Sequence, residues 1–170
     1  MSIEIRQKES LNDFEKQQLF GRSENIFGVT ALNLSWRPKD LHFLLYVNSK
    51  VVSHIGVLKH IISVNGQPLI IGGIGGVVTV AEERKKGYAG LLMQYTARFL
   101  KHFWGVEVGL LFCLPQMISY YEMLGWHLVE HGVLIDQPTG KMVSPLKVMV
   151  LPCTGYLWPD DEVELRSQPW

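Results

Sequence analysis

Residues 78–90, Val-Thr-Val-Ala-Glu-Glu-Arg-Lys-Lys-Gly-Tyr-Ala-Gly, pass within thirteen positions from a β-branched run, through a charged cluster, to small residues. Val78, Thr79 and Val80 read as a strand end. Beyond Arg84, Lys85 and Lys86, Gly87 permits a left-handed turn, and from Tyr88 the residues Leu91, Leu92, Tyr95, Phe99 and Phe103 recur at helical spacing to about His102. A strand that turns through glycine into a helix leaves the first N–H groups of that helix unpaired, with the positive end of its dipole behind them. Such a junction suits an anion, phosphate above all, and the three cations add charge. Gly87, Ala89 and Gly90 keep side chains away, so a diphosphate can reach the backbone. The plainer alternative is a solvated helix start with small residues that pack it. Neither the dinucleotide G-x-G-x-x-G fingerprint nor the Walker lysine-serine/threonine pair is present.

Upstream, Ile3 to Arg6 alternates as a short strand, and Ser10 with Asn12-Asp13 opens a helix to about Phe20. Gly21 to Asp40, with scattered glycine, asparagine and proline, reads as loop and short helix. His42–Val47 and Val51–Val57 flank the turn Asn48-Ser49-Lys50, and Asn65-Gly66 sits between Ile61–Val64 and Leu69–Ile71. Together they form a three-stranded antiparallel meander. Its last strand runs to Val80 through Gly72-Gly73 and Gly75-Gly76, a pattern that signals a bulge or a close approach of backbone. Downstream, Val106–Phe112 reads as a strand, Gln116–Leu124 as a short helix stopped by Gly125, and Trp126–Ile135 and Lys147–Leu151 as strands. Strand-helix-strand over 77–112 implies a right-handed crossover and locally parallel pairing.

The chain of 170 residues suits one domain, 1–170, and its 47% hydrophobic and 19% charged residues exclude a disordered class. A formal net charge of zero argues against a nucleic-acid or acidic-membrane partner. Two cysteines, Cys113 and Cys153, without metal-ligand spacing, make a disulfide framework or metal site unexpected. The Met-Ser-Ile-Glu-Ile-Arg start lacks a signal pattern and no apolar run reaches membrane length, so a cytoplasmic location is expected.

Arg84-x-x-Gly87-x-Ala89, preceded by Val78-x-Val80 and followed by the helix, resembles the acetyl-CoA motif of the GCN5-related N-acetyltransferases (GNATs). Tyr121, Gly125 and Trp126 in "YYEMLGW" match that family's later Tyr-x-x-x-Gly-Phe/Trp signature. The resemblance implies an α/β (α+β) fold: a single domain with a mixed, mostly antiparallel sheet flanked by helices and a splayed central strand ending near Val80. A looser similarity, covering roughly residues 36 to 170, is to the aminoglycoside 2'-N-acetyltransferases.

The resemblance implies acetyl-CoA, or another acyl-CoA, as cosubstrate, and direct acyl transfer to the amine of a small molecule. Val78, Thr79 and Val80 would bind the pantetheine arm, and the backbone of Lys85 to Gly90 (Lys85, Lys86, Gly87, Tyr88, Ala89, Gly90), with Arg84, the pyrophosphate. Tyr121 would protonate the departing thiolate. The resemblance also allows a homodimer, common in such enzymes, which the sequence does not establish. Two departures stand out. Related aminoglycoside enzymes carry a glutamate just before Val-x-Val, where this chain has Gly75 and Gly76, leaving His54, His60 or water to take the proton. The acceptor region "LNLSWRPKDLHF" holds one acid, Asp40, against Arg37 and Lys39, and Glu162, Glu164 and Asp160-Asp161 lie far along the chain. A polycationic aminoglycoside therefore fits poorly, and a neutral amine, or one whose anionic part meets Arg37 or Lys39, fits better. Trp36, His60 and Trp170 are candidate substrate residues. A non-catalytic coenzyme-A-binding module and a protein or peptide N-acetyltransferase remain as alternatives.

Overall fold

The computed structural model describes residues 1–21, 25–159 and 161–170. Residues 22–24 of the expected loop and Asp160 of the expected acidic cluster lie outside the described residues. Strand β1 (Ile3–Lys8) is followed by helix α1 (Asp13–Phe20). Asn12 caps α1 through its side chain, which accepts from Glu15 N–H, while the Glu15 carboxylate accepts from Asn12 N–H. Ser10, named in sequence beside Asn12, is not the cap.

The meander forms as expected, with β2 (Leu41–Val47), β3 (Lys50–Val64) and β4 (Gln67–Thr79) antiparallel in turn. Both hairpins turn on two residues with positive φ, Asn48 (47°) with Ser49 (67°) and Asn65 (48°) with Gly66 (75°), which suits the twist of the flanking strands. Lys50 belongs to the strand, not the turn. Helix α2 (Tyr88–His102) crosses over to β5 (Val108–Cys113), which pairs parallel with β4. The buried face of α2 is Tyr88, Leu92, Met93, Thr96, Phe99 and Leu100. Each large apolar side chain on it contributes roughly 1.5–3 kcal/mol by leaving water. Leu91 and Phe103, assigned to that face by spacing, are exposed, and Phe103 stacks on Phe99 just past the helix end.

The expected strand Trp126–Ile135 is a correction. It divides into β6 (His127–Leu128) and β7 (Val133–Gln137), with Gly132 at the break, and the halves join opposite ends of the sheet. β6 pairs with β9 (Lys147–Pro152), which pairs with β5. β7 pairs with β8 (Gly140–Val143) and, in parallel, with β10 (Val163–Glu164), which lies along the end of β3. β8 and β10, short and mostly polar, were not legible as strands. The sheet runs β6-β9-β5-β4-β3-β10-β7-β8, with β2 and β1 continuing from the other end of β3. Among the described residues nine ladders join this one continuous sheet, seven antiparallel and two, β4 with β5 and β7 with β10, parallel.

Two features of β4 open this sheet. Pairing with β5 stops at Ile74↔Leu111, while β4 continues to Thr79 and β5 to Cys113. Across β3, His54 faces Val78 but Gly56 faces Gly75, so β4 carries one extra residue there, and Gly76 takes φ 61° within this bulge. The two central strands splay apart beyond Ile74. The glycines before the splay admit neighbours rather than merely flexing: a Cβ on Gly72 would lie 2.6 Å from Leu100, and one on Gly73 would lie 2.4 Å from the Trp170 indole.

Candidate functional site

The splay opens into a cleft of about 730 Å³ between β4 and β5. Gly75–Thr79 form one wall and Leu111–Leu114 the other, and Trp36, Lys39, Tyr121, Leu146 and Trp170 line it further. On the side that faced β5, the end of β4 has no partner strand, so its backbone is available to an extended ligand. From Gly75 to Thr79 the opposite edge remains tied to β3, where Ser53 Oγ donates to Val78 C=O at 2.9 Å.

Arg84 lines the outer end of the cleft, where β4 passes through a 3-10 turn, Ala81–Glu83, into α2. Its Nε donates to Thr79 C=O at 3.0 Å, tying turn to strand. Lys85 (φ 63°) and Gly87 (φ 84°) both occupy the left-handed region, and Gly87 is the N-cap of α2. Left-handed residues alternating with ordinary ones curl the chain so that successive N–H groups converge on an anion. The first intrahelical bond, Leu91 N–H to Gly87 C=O at 3.0 Å, leaves Tyr88, Ala89 and Gly90 N–H outside the ladder. Lys86 is paired with Glu83 at 2.8 Å. Lys85 and the far end of Arg84 carry the positive charge of this junction outward. Val80 belongs to the other edge, its N–H donating to Val52 C=O at 2.9 Å.

Tyr121 comes to the cleft from helix α3 (Ile118–Met123), which Pro115 opens through a 3-10 turn and Gly125 (φ 92°) closes. Trp126 N–H donates back to Tyr121 C=O at 3.1 Å, so the Tyr-x-x-x-Gly-Trp spacing is the spacing of a helix stop. The ring is 6% exposed and stands edge-on to Tyr120. Its hydroxyl makes no hydrogen bond with a described residue. Burial first, then Cys113 and Tyr120, raises its pKa above the usual phenol value, so it keeps its proton. Cys113, at the end of β5, is pushed up to about 11 by burial and stays a thiol.

Residues 18–129 match the acetyltransferase (GNAT) domain family. The chain belongs to the GNAT acetyltransferases. Among curated protein sequences, none matches it. It is similar in fold to Escherichia coli YhbS, a GNAT family N-acetyltransferase crystallised with CoA, at 16% identity and TM-score 0.60, covering 96% of this chain and 89% of that one. It is similar also to a GNAT family acetyltransferase of Brucella melitensis crystallised with acetyl-CoA, at 15% identity and TM-score 0.58 over 95% and 94% of the two chains. E. coli ElaA matches at 17% identity and TM-score 0.57 over 88% and 99%. These likenesses establish the mixed, mostly antiparallel GNAT sheet flanked by helices.

In this GNAT chain the histidines named from sequence are already engaged. His60 lies outside the cleft lining: its Nε2 donates to Leu165 C=O at 2.8 Å and its Nδ1 accepts from Arg37 at 2.8 Å. That also corrects Arg37, held on His60 and Ser167 rather than offered to the cleft. His54 Nδ1 donates to Gly76 C=O at 2.7 Å, and its Nε2 accepts from His42 Nδ1 at 2.9 Å, so it is neutral with both nitrogens used. Trp170 does line the cleft but is 3% exposed, with its indole N–H on Leu110 C=O at 3.2 Å; it is a wall. Trp36 lines the mouth, partly exposed. Sequence reasoning passed over Phe27, Val29, Cys113 and Leu146, which supply apolar lining and carry no local motif. Among the described residues no helix is long and apolar enough to cross a membrane, and no His/Cys/Asp/Glu group could hold a metal ion.

Burial lowers the His54 pKa from 6.5 to about 3. The folded state therefore refuses a proton that the unfolded chain accepts below 6.5, and stability present at neutral pH is lost as pH falls from 6.5 toward 3. The slope is at most roughly 1.4 kcal/mol per pH unit from this one group. Denaturant midpoints at pH 7 and pH 4.5 are expected to differ less in His54→Gln than in the parent chain; equal differences would remove His54 from the acid response.

Proposed function

We propose that the chain transfers the acetyl group of acetyl-CoA directly to the amine of a small molecule. The observation that carries this reading is Tyr121, a buried residue lining the cleft whose hydroxyl makes no hydrogen bond with a described residue, in a cleft that Arg84 of the anion-favouring turn also lines. The pyrophosphate would lie on the N–H groups of Lys85, Lys86, Gly87, Tyr88, Ala89 and Gly90 with Arg84 beside them. The pantetheine would run along the unpaired edge of Val77, Val78 and Thr79, adding to the sheet as a strand does. Val80, whose N–H donates to Val52 C=O of β3, closes that track where β4 has ended at Thr79.

The acceptor nitrogen attacks the thioester carbonyl, a C–N bond forms and the C–S bond breaks. The sulfur leaves with the bond electrons and takes the Tyr121 proton; the phenolate is then reprotonated from the acceptor ammonium through water. The lining contains no Asp or Glu, and His54 and His60 have no free lone pair, so no side chain of these serves as base. An apolar wall with Lys39 in it disfavours an ammonium, which helps the acceptor lose its proton to solvent. The same charge pattern argues against an aminoglycoside polycation.

The missing carboxylate also favours a second reading, a coenzyme-A-binding module without turnover. Thiol release from acetyl-CoA, followed across a panel of small amines, aminoglycosides and peptides, separates them. Amine-dependent thiol release, weakest with aminoglycosides, is the expected result. Binding of acetyl-CoA with no thiol released by any acceptor would overturn catalysis in favour of the binding module, and release with peptides alone would make the acceptor a protein.

A further inference from the structure

The bulge in β4 decides which backbone groups meet a ligand in the cleft. His54 of β3 faces Val78 and Gly56 faces Gly75, so three steps along β4 answer two along β3. Hydrogen bonding alternates along a strand, and the extra residue reverses its phase. Val80 N–H bonds to Val52 C=O, and Val78 points the same way, toward β3, where Ser53 Oγ meets its carbonyl. By alternation Val77 and Thr79 point the other way, and Arg84 Nε meets Thr79 C=O on that side. A bulge moved toward Thr79 would pair Val77 with His54 and turn the Val77 N–H and C=O away from the cleft.

Gly76, the residue at which the phase reverses, is held by a side chain. Its φ of 61° suits glycine, and its carbonyl accepts from His54 Nδ1 at 2.7 Å. A carbonyl has no proton to give, so Nδ1 carries the hydrogen and the neutral ring accepts at Nε2 from His42 Nδ1 at 2.9 Å. The ring has no room to swing. It is 2% exposed, stands edge-on to Phe20 at 5.2 Å, and would lie with its Cε1 3.1 Å from a Cβ on Gly76. Phe20 in turn meets Phe27 of the cleft lining, with ring centroids 6.1 Å apart.

We infer that His54, backed by His42, is a positioning residue for the acyl donor: by bonding the Gly76 carbonyl it locks the bulge at residue 76 and keeps the backbone of Val77 and Thr79 aimed at the pantetheine arm. This rests on the acetyltransferase reading above. His54 is not among the residues lining the cleft and touches no reacting atom. It acts through the backbone of β4, and what it controls is where the donor lies.

Two variants separate the Nδ1 donor from the bulk of the ring. His54→Asn keeps an N–H on the branch where Nδ1 stood, and His54→Leu fills the space without a donor. Calorimetric titration of acetyl-CoA into His54→Leu is expected to show binding at least about tenfold weaker than in the parent chain, the loss of one or two backbone hydrogen bonds to the arm. His54→Asn should return to within about threefold of the parent, because the donor to Gly76 is restored. Both variants give up the ring and its contact with Phe20, and both should melt below the parent. Affinity that follows the donor and not the melting temperature therefore distinguishes positioning from packing. Parent-like affinity in His54→Leu, or His54→Asn as weak as His54→Leu, would overturn the inference. Ring-nitrogen NMR of the parent chain needs no variant and decides the matter should His54→Leu fail to fold: His54 is expected as the Nδ1–H tautomer, and an Nε2–H tautomer would equally overturn it. CoA titrated into the parent chain reports separately on the acetyltransferase reading, which fails if CoA does not bind, whatever the His54 tautomer.

Discussion

Tyr121→Phe is expected to lower the rate of acetyl transfer by about 100- to 1,000-fold, the range of a removed general acid. CoA affinity should hardly change. Tyr121 lines the cleft from α3, whereas the proposed pyrophosphate site is at the start of α2, on another element. The fold should also be untouched, because the hydroxyl makes no hydrogen bond whose loss would strand a partner and the ring keeps its contact with Tyr120. Steady-state turnover, CoA titration and a melting curve on the same preparation read these separately. Undiminished turnover would take Tyr121 out of the chemistry; a fall in CoA affinity matching the fall in rate would make it a binding residue.

Gly87→Val should act in the opposite way, removing cofactor affinity first. Gly87 has φ 84°, which a β-branched residue adopts only at a cost of about 1–3 kcal/mol. Nothing lies within 4 Å of the position its Cβ would take, so strain and not collision is the cause, and the chain relieves it by rotating the turn. Rotation misdirects the N–H groups of residues 85–90. Loss of two hydrogen bonds to a charged phosphate, at about 1.5–3 kcal/mol each, weakens CoA binding by roughly 100-fold or more. The hydrophobic face of α2, from Leu92 to Leu100, should hold the helix in place, and unchanged helical circular dichroism is the control. Affinity within a fewfold of the parent chain would remove the pyrophosphate from this turn.

The parts of this molecule that were legible in sequence are those with short-range physics. Asn65-Gly66 announced its hairpin because few other residues accept two consecutive left-handed angles, and Val78 to Gly90 announced a strand, turn and helix in sequence order. The family followed from Arg84-x-x-Gly87-x-Ala89 and the Tyr121-Gly125-Trp126 spacing. What could not be read depends on partners distant in the chain. Trp126–Ile135 looks like one apolar strand, yet Val129 bonds to Val148 and Val133 to β10, which pulls its two ends to different neighbours. The apolar spacing of α2 marked the helix but put Phe103 on the wrong side of its end.

The site shows the same division. Gly75-Gly76 read as a missing carboxylate only through the resemblance to aminoglycoside enzymes; the strand alone shows two glycines. Only the pairing of Gly75 with Gly56 reveals that the space is filled by Lys39, with the main chain of Trp170 beside it, and only the bulge reveals that Gly76 offers its carbonyl to His54. Two facing glycines in adjacent strands were the available signal, and register was needed to see it. His60 appeared free for substrate because its partners, Arg37 and Leu165, sit 23 and 105 residues away.

A crystal structure of the chain with CoA tests the central claim most directly. The expected density places the pyrophosphate on the N–H groups of residues 85–90, the pantetheine along the unpaired edge of β4 between Val77 and Thr79, and the sulfur beside the Tyr121 hydroxyl. CoA bound elsewhere on the chain, or threaded through the cleft with its sulfur remote from Tyr121, would contradict it.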